Sequence, residues 1–390
     1  MKQMRNILYL AAIIIITTFT ARASNNMIST TVPLLAKYVL FLPQYVIGIL
    51  AAISSAASFI TTIFINARLN SKQRRDLFII SSLIYAITIP LYAFSNTLFL
   101  WVLSVLTGAS LGLIMPNIIT AASLLEDRKL RERIIALYTL TLSLSLIVGP
   151  AIESYLLKFL NLREVFIYFS IFGFILFIAS FYLEFPEEKH YKGKAKVWNN
   201  QGFRAAIFNI LIYNIPFAII TTFIGIYEKE KFNISLSEVT LVYSLFFSVS
   251  FSTRLFLFLK PPERIVLQMF MTAILTGLGL ILIYIAKDFS LFLVGMALLG
   301  VPHGSAYPLS VMTIGRSFKI EERNVANSNY FSVMMIIGIL VPIISGYIIS
   351  DLGFDFIFLL LIIFVFIFLI LLLGAVRSQE FKNIMENNLS

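Results

Sequence analysis

Twelve apolar runs, each about as long as a bilayer core is thick, constrain this chain more than any other feature. A helix rises 1.5 Å per residue, so crossing about 30 Å of hydrocarbon takes roughly 20 apolar residues. Runs of that length are predicted near 7–29, 43–66, 77–95, 98–121, 134–157, 164–184, 204–227, 236–259, 265–286, 289–312, 325–349 and 354–376. The connections are short and most carry charge. Only residues 185–203 form a long, polar, lysine-rich segment. It separates an N-terminal bundle of six helices (1–184) from a C-terminal bundle (204–390) with a short tail. The expected fold class is an all-α integral membrane protein.

Composition agrees. Charged residues make up 13% of the chain and hydrophobic ones 59%. A soluble domain carries about 25% charge, so this chain lacks the residues to cover a water-facing surface. The net charge of +10 raises the question of nucleic acid, but the basic residues are sorted by loop. With the N-terminus inside, 22 of the 30 lysines and arginines fall on inside segments, six on outside loops and two within spans. Positive charge gathers on the cytoplasmic side of membrane proteins. Both termini are therefore expected in the cytoplasm, in a multi-pass protein of the plasma membrane, with lipid and not nucleic acid as the surrounding partner. There are no cysteines and only two histidines, far apart, so no metal or other cofactor is expected. A cleaved signal peptide ending at Ala21-Arg22-Ala23 is the alternative for the first run.

The two halves repeat at an offset of 192. Gly108-x-x-x-Gly112-x-x-x-Pro116 matches Gly300-x-x-x-Gly304-x-x-x-Pro308, and Pro150-x-Ile152-x-x-Tyr155 matches Pro342-x-Ile344-x-x-Tyr347. The repeat argues against cleavage, which would remove one of six helices from one half. An even number of spans gives both halves the same topology, so the relating axis lies along the membrane normal. Glycines four apart let helix backbones approach closely, and a proline four further on bends the helix. Tight packing and a gating hinge are the two roles open to these rows.

Six plus six helices with a basic central loop resemble the major facilitator superfamily. The loop after span two carries Arg68, Lys72, Arg74 and Arg75 where that family has a basic pattern, with Ser71 at its acidic position and Arg74 at its second glycine. Gly149-Pro150 resembles the antiporter motif of span five, followed by Glu153-Ser154 in place of a glycine pair. The resemblance implies two bundles around a central cavity lined by spans 1, 4, 7 and 10, rocking to open to each side in turn. It implies a secondary transporter, by symport, antiport or facilitated diffusion, and not an enzyme. No Walker lysine loop points to ATP. A monomer working on a small-molecule substrate, with protons or another coupling ion, is expected.

Polar groups at membrane depth cost roughly 2.5–3.5 kcal/mol per charge and mark the candidate site. Span one carries Thr18, Arg22, Asn25 or Asn26, and Ser29 on one face, with Arg22 expected in its outer half. A guanidinium is a planar fork of donors suited to carboxylate or phosphate. For Arg22, substrate contact competes with a structural pair or an outer gate; Arg22 and Lys158 are the partners open to Glu153. Glu153 is the one acidic residue placed well within a span, an interface carboxylate or a proton carrier. His303, with Tyr307 a turn further on, is a packing histidine or a substrate and proton site. Asn117, Tyr213 and Asn214 on presumed cavity helices are substrate contacts or interhelical glue. Arg254 is expected to reach the cytoplasmic interface. An organic anion or polar neutral solute is one expected substrate class. A lipophilic compound exported against protons is the other, and an intramembrane enzyme or receptor is the remote alternative.

Overall fold

The computed structural model describes residues 2–123, 128–185, 197–260, 262 and 264–386. Among them every regular element is helical. The first six helices are α1 (Lys2–Tyr38), α2 (Gln44–Ile60), α3 (Ser71–Leu91), α4 (Thr97–Ser123), α5 (Arg128–Leu156) and α6 (Leu162–Ser180). The second set begins with α7 (Gln201–Ile219), α8 (Leu236–Leu259), α9 (Ile265–Ile285) and α10 (Phe289–Ser317). A continuous helical stretch, Ile320–Arg377, then breaks at Gly353, whose φ of 82° and ψ of 176° are open only to glycine. The break divides it into α11 (residues 320–352) and α12 (residues 354–377), and a short α13 (Gln379–Glu386) closes the chain. Among the described residues eleven helical stretches are long and apolar enough to cross a membrane, the last holding both α11 and α12. Most of the predicted linker, residues 186–196, lies outside the described residues.

Local chemistry sets several boundaries. Asn70 caps α3 reciprocally with Gln73, and Asn161 caps α6 reciprocally with Glu164, each pair satisfying two otherwise orphaned backbone donors. Asn200 and Asp288 cap α7 and α10 through Phe203 N and Leu291 N.

Several helices outrun their predicted bounds. The first membrane stretch is Leu8–Tyr38, not 7–29, and Arg22 stands near the middle of that helix. Pro33 sits inside that helix without ending it. The α2 helix runs on through a π-turn at Thr61–Ile65 and a 3-10 turn at Asn66–Arg68. A second π-turn, Ile220–Ile224, carries α7 on into Gly225–Phe232. Such turns insert one residue and rotate every later side chain about the axis.

The chain forms two compact units. One comprises Met1–Lys189 with Ile234–Ser244, the other His190–Asn233 with Leu245–Ser390. The first turns of α8 thus belong with the first unit, where Ser237 Oγ donates to Ser154 O at 2.7 Å and Ser244 Oγ to Ile147 O at 2.9 Å. In the first unit α1 packs on α5 and α6, α3 on α4 and α6, and α2 on α4. In the second, α7 packs on α10 and on the α11–α12 stretch, and α9 on the same two.

The repeat extends to the contacts. A Cβ at Gly108 would run into the carbonyl of Ser54, and one at Gly300 into that of Phe246, at 2.6 Å. Gly112 meets Ser58 and Thr61, and Gly304 meets Ser250 and Thr253. Every partner lies 192 positions from its counterpart. The glycine rows therefore carry close helix packing, α4 on α2 and α10 on α8. Gly149 approaches Ala23 of α1, where a Cβ would sit at 3.3 Å. Pro116, Pro150, Pro308 and Pro342 all lie inside their helices.

Candidate functional site

The first unit brings α1 and α5 together along their polar faces. Arg22 is half-buried, and its Nη2 donates to the hydroxyl of Tyr138 at 3.1 Å. No carboxylate among the described residues pairs with it. The expected Arg22–Glu153 pair does not form, because the two groups meet α1 at different heights. Glu153 accepts from Thr31, nine residues beyond Arg22, or about 13 Å along a helix. Glu153 is fully buried, and its Oε2 has no hydrogen-bond partner. Asn26 is buried with an unpartnered Nδ2, whereas Asn25 is half-exposed and accepts from Ser29 Oγ only through its backbone.

Asn117 of α4 is completely buried and donates to Asn66 Oδ1 at 2.7 Å and to Leu113 O at 2.6 Å. It ties α4 to the end of α2. The 3-10 turn and the start of α3 that follow expose Arg68, Lys72 and Arg75, with Arg75 reaching the carbonyl of Phe181 at 3.4 Å. Arg74, where the resembling family has glycine, is buried to 5% exposure.

The second unit joins α7, α8 and α10 around one histidine. The Tyr213 hydroxyl and His303 Nδ1 share a hydrogen bond of 2.7 Å. Rings of Phe217, Phe246, Phe247 and Tyr213 surround the imidazole, with centroids 4.6, 5.2, 5.3 and 5.5 Å away. His303 Nε2 is buried without a partner. Arg254 Nη2 reaches the carbonyl of His303 at 3.4 Å. A guanidinium thus stands beside the imidazole–phenol pair. One turn away, Asn209 Nδ2 donates to Ala306 O and Ser310 Oγ, both at 2.9 Å. Asn214 reaches Met334 O of α11 at 3.5 Å. Tyr307 stands apart from His303, 36% exposed and against the rings of Tyr330 and Phe331.

Two groups escaped sequence reasoning. The contact of Arg254 with His303 O was not legible, because the sequence gives only its distance from the helix end. Glu228 was left in a loop, since Glu228-Lys229-Glu230-Lys231 reads as a polar connection. The π-turn carries the helix through it, so Glu153 is not the only acid inside a membrane stretch. Glu228 is fully buried, and neither of its carboxyl oxygens has a hydrogen-bond partner. Its neighbour Tyr227 donates to Ile283 O at 3.1 Å and accepts from Lys231 Nζ at 2.6 Å. Among the described residues no group of three or more His, Cys, Asp or Glu is placed to hold a metal.

A duplicated all-helical membrane protein with buried polar clusters in each unit belongs to the class of solute carriers. The Major Facilitator Superfamily model matches residues 14–260 and 263–384, and the chain belongs to that family. It is a multi-pass membrane transporter and not an enzyme. No curated protein matches it. Among solved structures, a bacterial homolog of the human lysosomal transporter Spinster, inward-facing and occupied, is similar at 12% identity and TM-score 0.72, over 96% of this chain and 97% of that one. The same homolog, inward-facing and unoccupied, gives 12% identity and TM-score 0.73, with 97% of both chains covered. A point mutant of the nucleoside transporter NupG gives 14% identity and TM-score 0.72, over 94% of this chain and 100% of that one. At these identities the likeness is one of fold.

Proposed function

We propose that this protein is a gradient-driven secondary transporter that moves a small organic anion by alternating access, with Arg22 as the anion's anchor. The observation that carries this reading is Arg22 itself. It sits at the middle of a 31-residue membrane stretch, and its hydrogen bond there is to a neutral phenol and not to a carboxylate. An unneutralised charge at that depth is costly. The cost is offset when an anionic solute supplies the missing charge, and a guanidinium matches carboxylate or phosphate geometry. The His303–Tyr213 pair with Arg254 gives the second unit its own positively charged polar cluster. The lysine and arginine distribution supports cytoplasmic termini in the plasma membrane, and the protein acts as a monomer.

A thermal-shift screen of detergent-purified protein tests this, since a ligand of the folded state raises its apparent stability. Organic anions raise the melting temperature of the wild type and not of Arg22→Gln. A screen in which only cations or uncharged lipophiles stabilise the protein contradicts the reading.

A second reading, proton-coupled export of a lipophilic compound, is favoured by one observation. Glu153 is a fully buried carboxyl group one turn beyond Gly149-Pro150, with one oxygen unpartnered.

A further inference from the structure

Among the described residues two π-turns interrupt helices, and they are held differently. In the first, Thr61–Ile65, the hydroxyls of Thr61 and Thr62 donate to Ala109 O at 3.1 Å and Gly112 O at 2.9 Å and fasten the turn to α4. In the second, Ile220–Ile224, the Thr221 hydroxyl donates to Phe217 O and Ala218 O of its own helix.

Beyond the second turn lies Glu228, fully buried with both carboxyl oxygens unpartnered. The group is unmet in either form. Ionised, its oxygens find no donor; protonated, its hydroxyl finds no acceptor. Burial of a polar group in that condition is costly. The elements packed around this stretch are α9, α10 and α12, which meet Tyr227 through Ile283 O, Phe292 and Phe358. The ionisable groups at their adjoining ends, Tyr284, Lys287, Asp288 and Asp355, are exposed, and none bonds to Glu228. Nor do Lys229, Glu230 or Lys231 on its own helix.

The chain crosses from one compact unit to the other directly after this helix, between Asn233 and Ile234. Only Asn233, Ile234 and Ser235 separate Phe232 from α8. Movement of one unit against the other therefore pulls on Gly225–Phe232 through a short tether, and the π-turn at its far end is the place that yields. A π-turn holds one residue more than an α-turn. Relaxing it to α geometry turns everything beyond it by about 100° and slides it by about 1.5 Å. Each residue then moves into the place of the next. Glu228 takes the half-exposed place of Lys229, while Tyr227 leaves Ile283 O for the buried place of Glu228.

We propose that the Ile220–Ile224 turn is a register switch that carries Glu228 between a dry place and water, making its carboxyl group the proton carrier of the transport cycle. In the α register the carboxylate takes a proton from water or returns it. In the π register it is sealed and does neither. This rests on the gradient-driven transport reading and names the residue that couples it.

The chain has no cysteine, so a single introduced one reports its own place. Full-length Glu228→Cys and Tyr227→Cys proteins in lipid vesicles are labelled with N-ethylmaleimide, whose rate follows the exposure of the thiol. The switch exposes position 228 and keeps 227 buried in both registers, so Glu228→Cys labels about tenfold faster than Tyr227→Cys. Deleting Thr221, the one residue of the turn that is not buried, converts π to α and leaves the later residues where they are. In that background Glu228→Cys labels as slowly as Tyr227→Cys. In the second arm, uptake of radiolabelled lactate, citrate and gluconate is driven by an imposed pH gradient. Deletion of Thr221 and Glu228→Gln each abolish the accumulation that the wild type shows, and spare exchange at equal concentrations. Equal labelling at 227 and 228 marks simple fraying and overturns the switch. Undiminished accumulation by Glu228→Gln overturns its role as carrier. Either result leaves the anion-transport reading standing, whereas a wild type that neither accumulates nor exchanges any of the three anions overturns that reading, whichever way the labelling falls.

Discussion

The hydroxyl of Tyr213 on α7 lies 2.7 Å from Nδ1 of His303 on α10. This bond fixes the imidazole while four aromatic rings close around it, and its other nitrogen is left with no protein partner. Removing one partner of a buried pair costs about 1–3 kcal/mol, because the survivor keeps its desolvation penalty. Tyr213→Phe is therefore expected to weaken binding of the transported solute about tenfold with the protein still folded. Isothermal titration with the best-stabilising anion measures this. Unchanged affinity assigns the pair to packing alone.

The paired glycine rows predict a stability pattern. Alanine at Gly108 or Gly300 forces a methyl group into the carbonyl of Ser54 or Phe246. Each is expected to lower stability by about 1–3 kcal/mol, the scale of overpacking. Gly315, on the same helix as Gly300, has nothing within 4 Å of an added Cβ, and Gly315→Ala is expected to leave stability unchanged or raised. Thermal unfolding in detergent reads all three. Equal melting temperatures across the set contradict close packing at the rows.

Three buried titratable groups compete for the coupling role: Glu153, Glu228 and His303. Proton coupling requires a group that gains and loses a proton during the cycle. Glu153→Gln, Glu228→Gln and His303→Gln, tested singly and together, keep the size of each side chain closely. In reconstituted vesicles with an imposed pH gradient, at least one of them is expected to abolish accumulation while sparing exchange of solute at equal concentrations. Full gradient-driven accumulation in the triple variant excludes all three. A wild type indifferent to the gradient makes the protein a uniporter or one coupled to another ion.

Much of the architecture was legible because membrane thickness and the 192-residue repeat are written in residue type and spacing. Even the packing partners obey the repeat, as Ser54 and Phe246 show. Helix ends were less legible where a polar stretch stays helical. Pro33 does not stop α1, and the π-turn at Ile220–Ile224 carries α7 past the run of charges that looked like a loop. That one turn hid Glu228. Side-chain partners were the least legible. Periodicity places Thr18, Arg22 and Asn26 on one face but cannot say that Tyr138, and not Glu153, faces Arg22. Nor does distance from a helix end tell which way Arg254 turns.

The most direct test of the account is solute counterflow through reconstituted wild-type, Arg22→Lys and Arg22→Gln proteins, using the organic anion that most stabilises the wild type. Lysine keeps the charge and loses the planar fork, and glutamine loses the charge altogether. The account predicts robust counterflow in the wild type, a reduced rate with Arg22→Lys and none with Arg22→Gln, all three being inserted and folded alike. Wild-type counterflow by Arg22→Gln would contradict it.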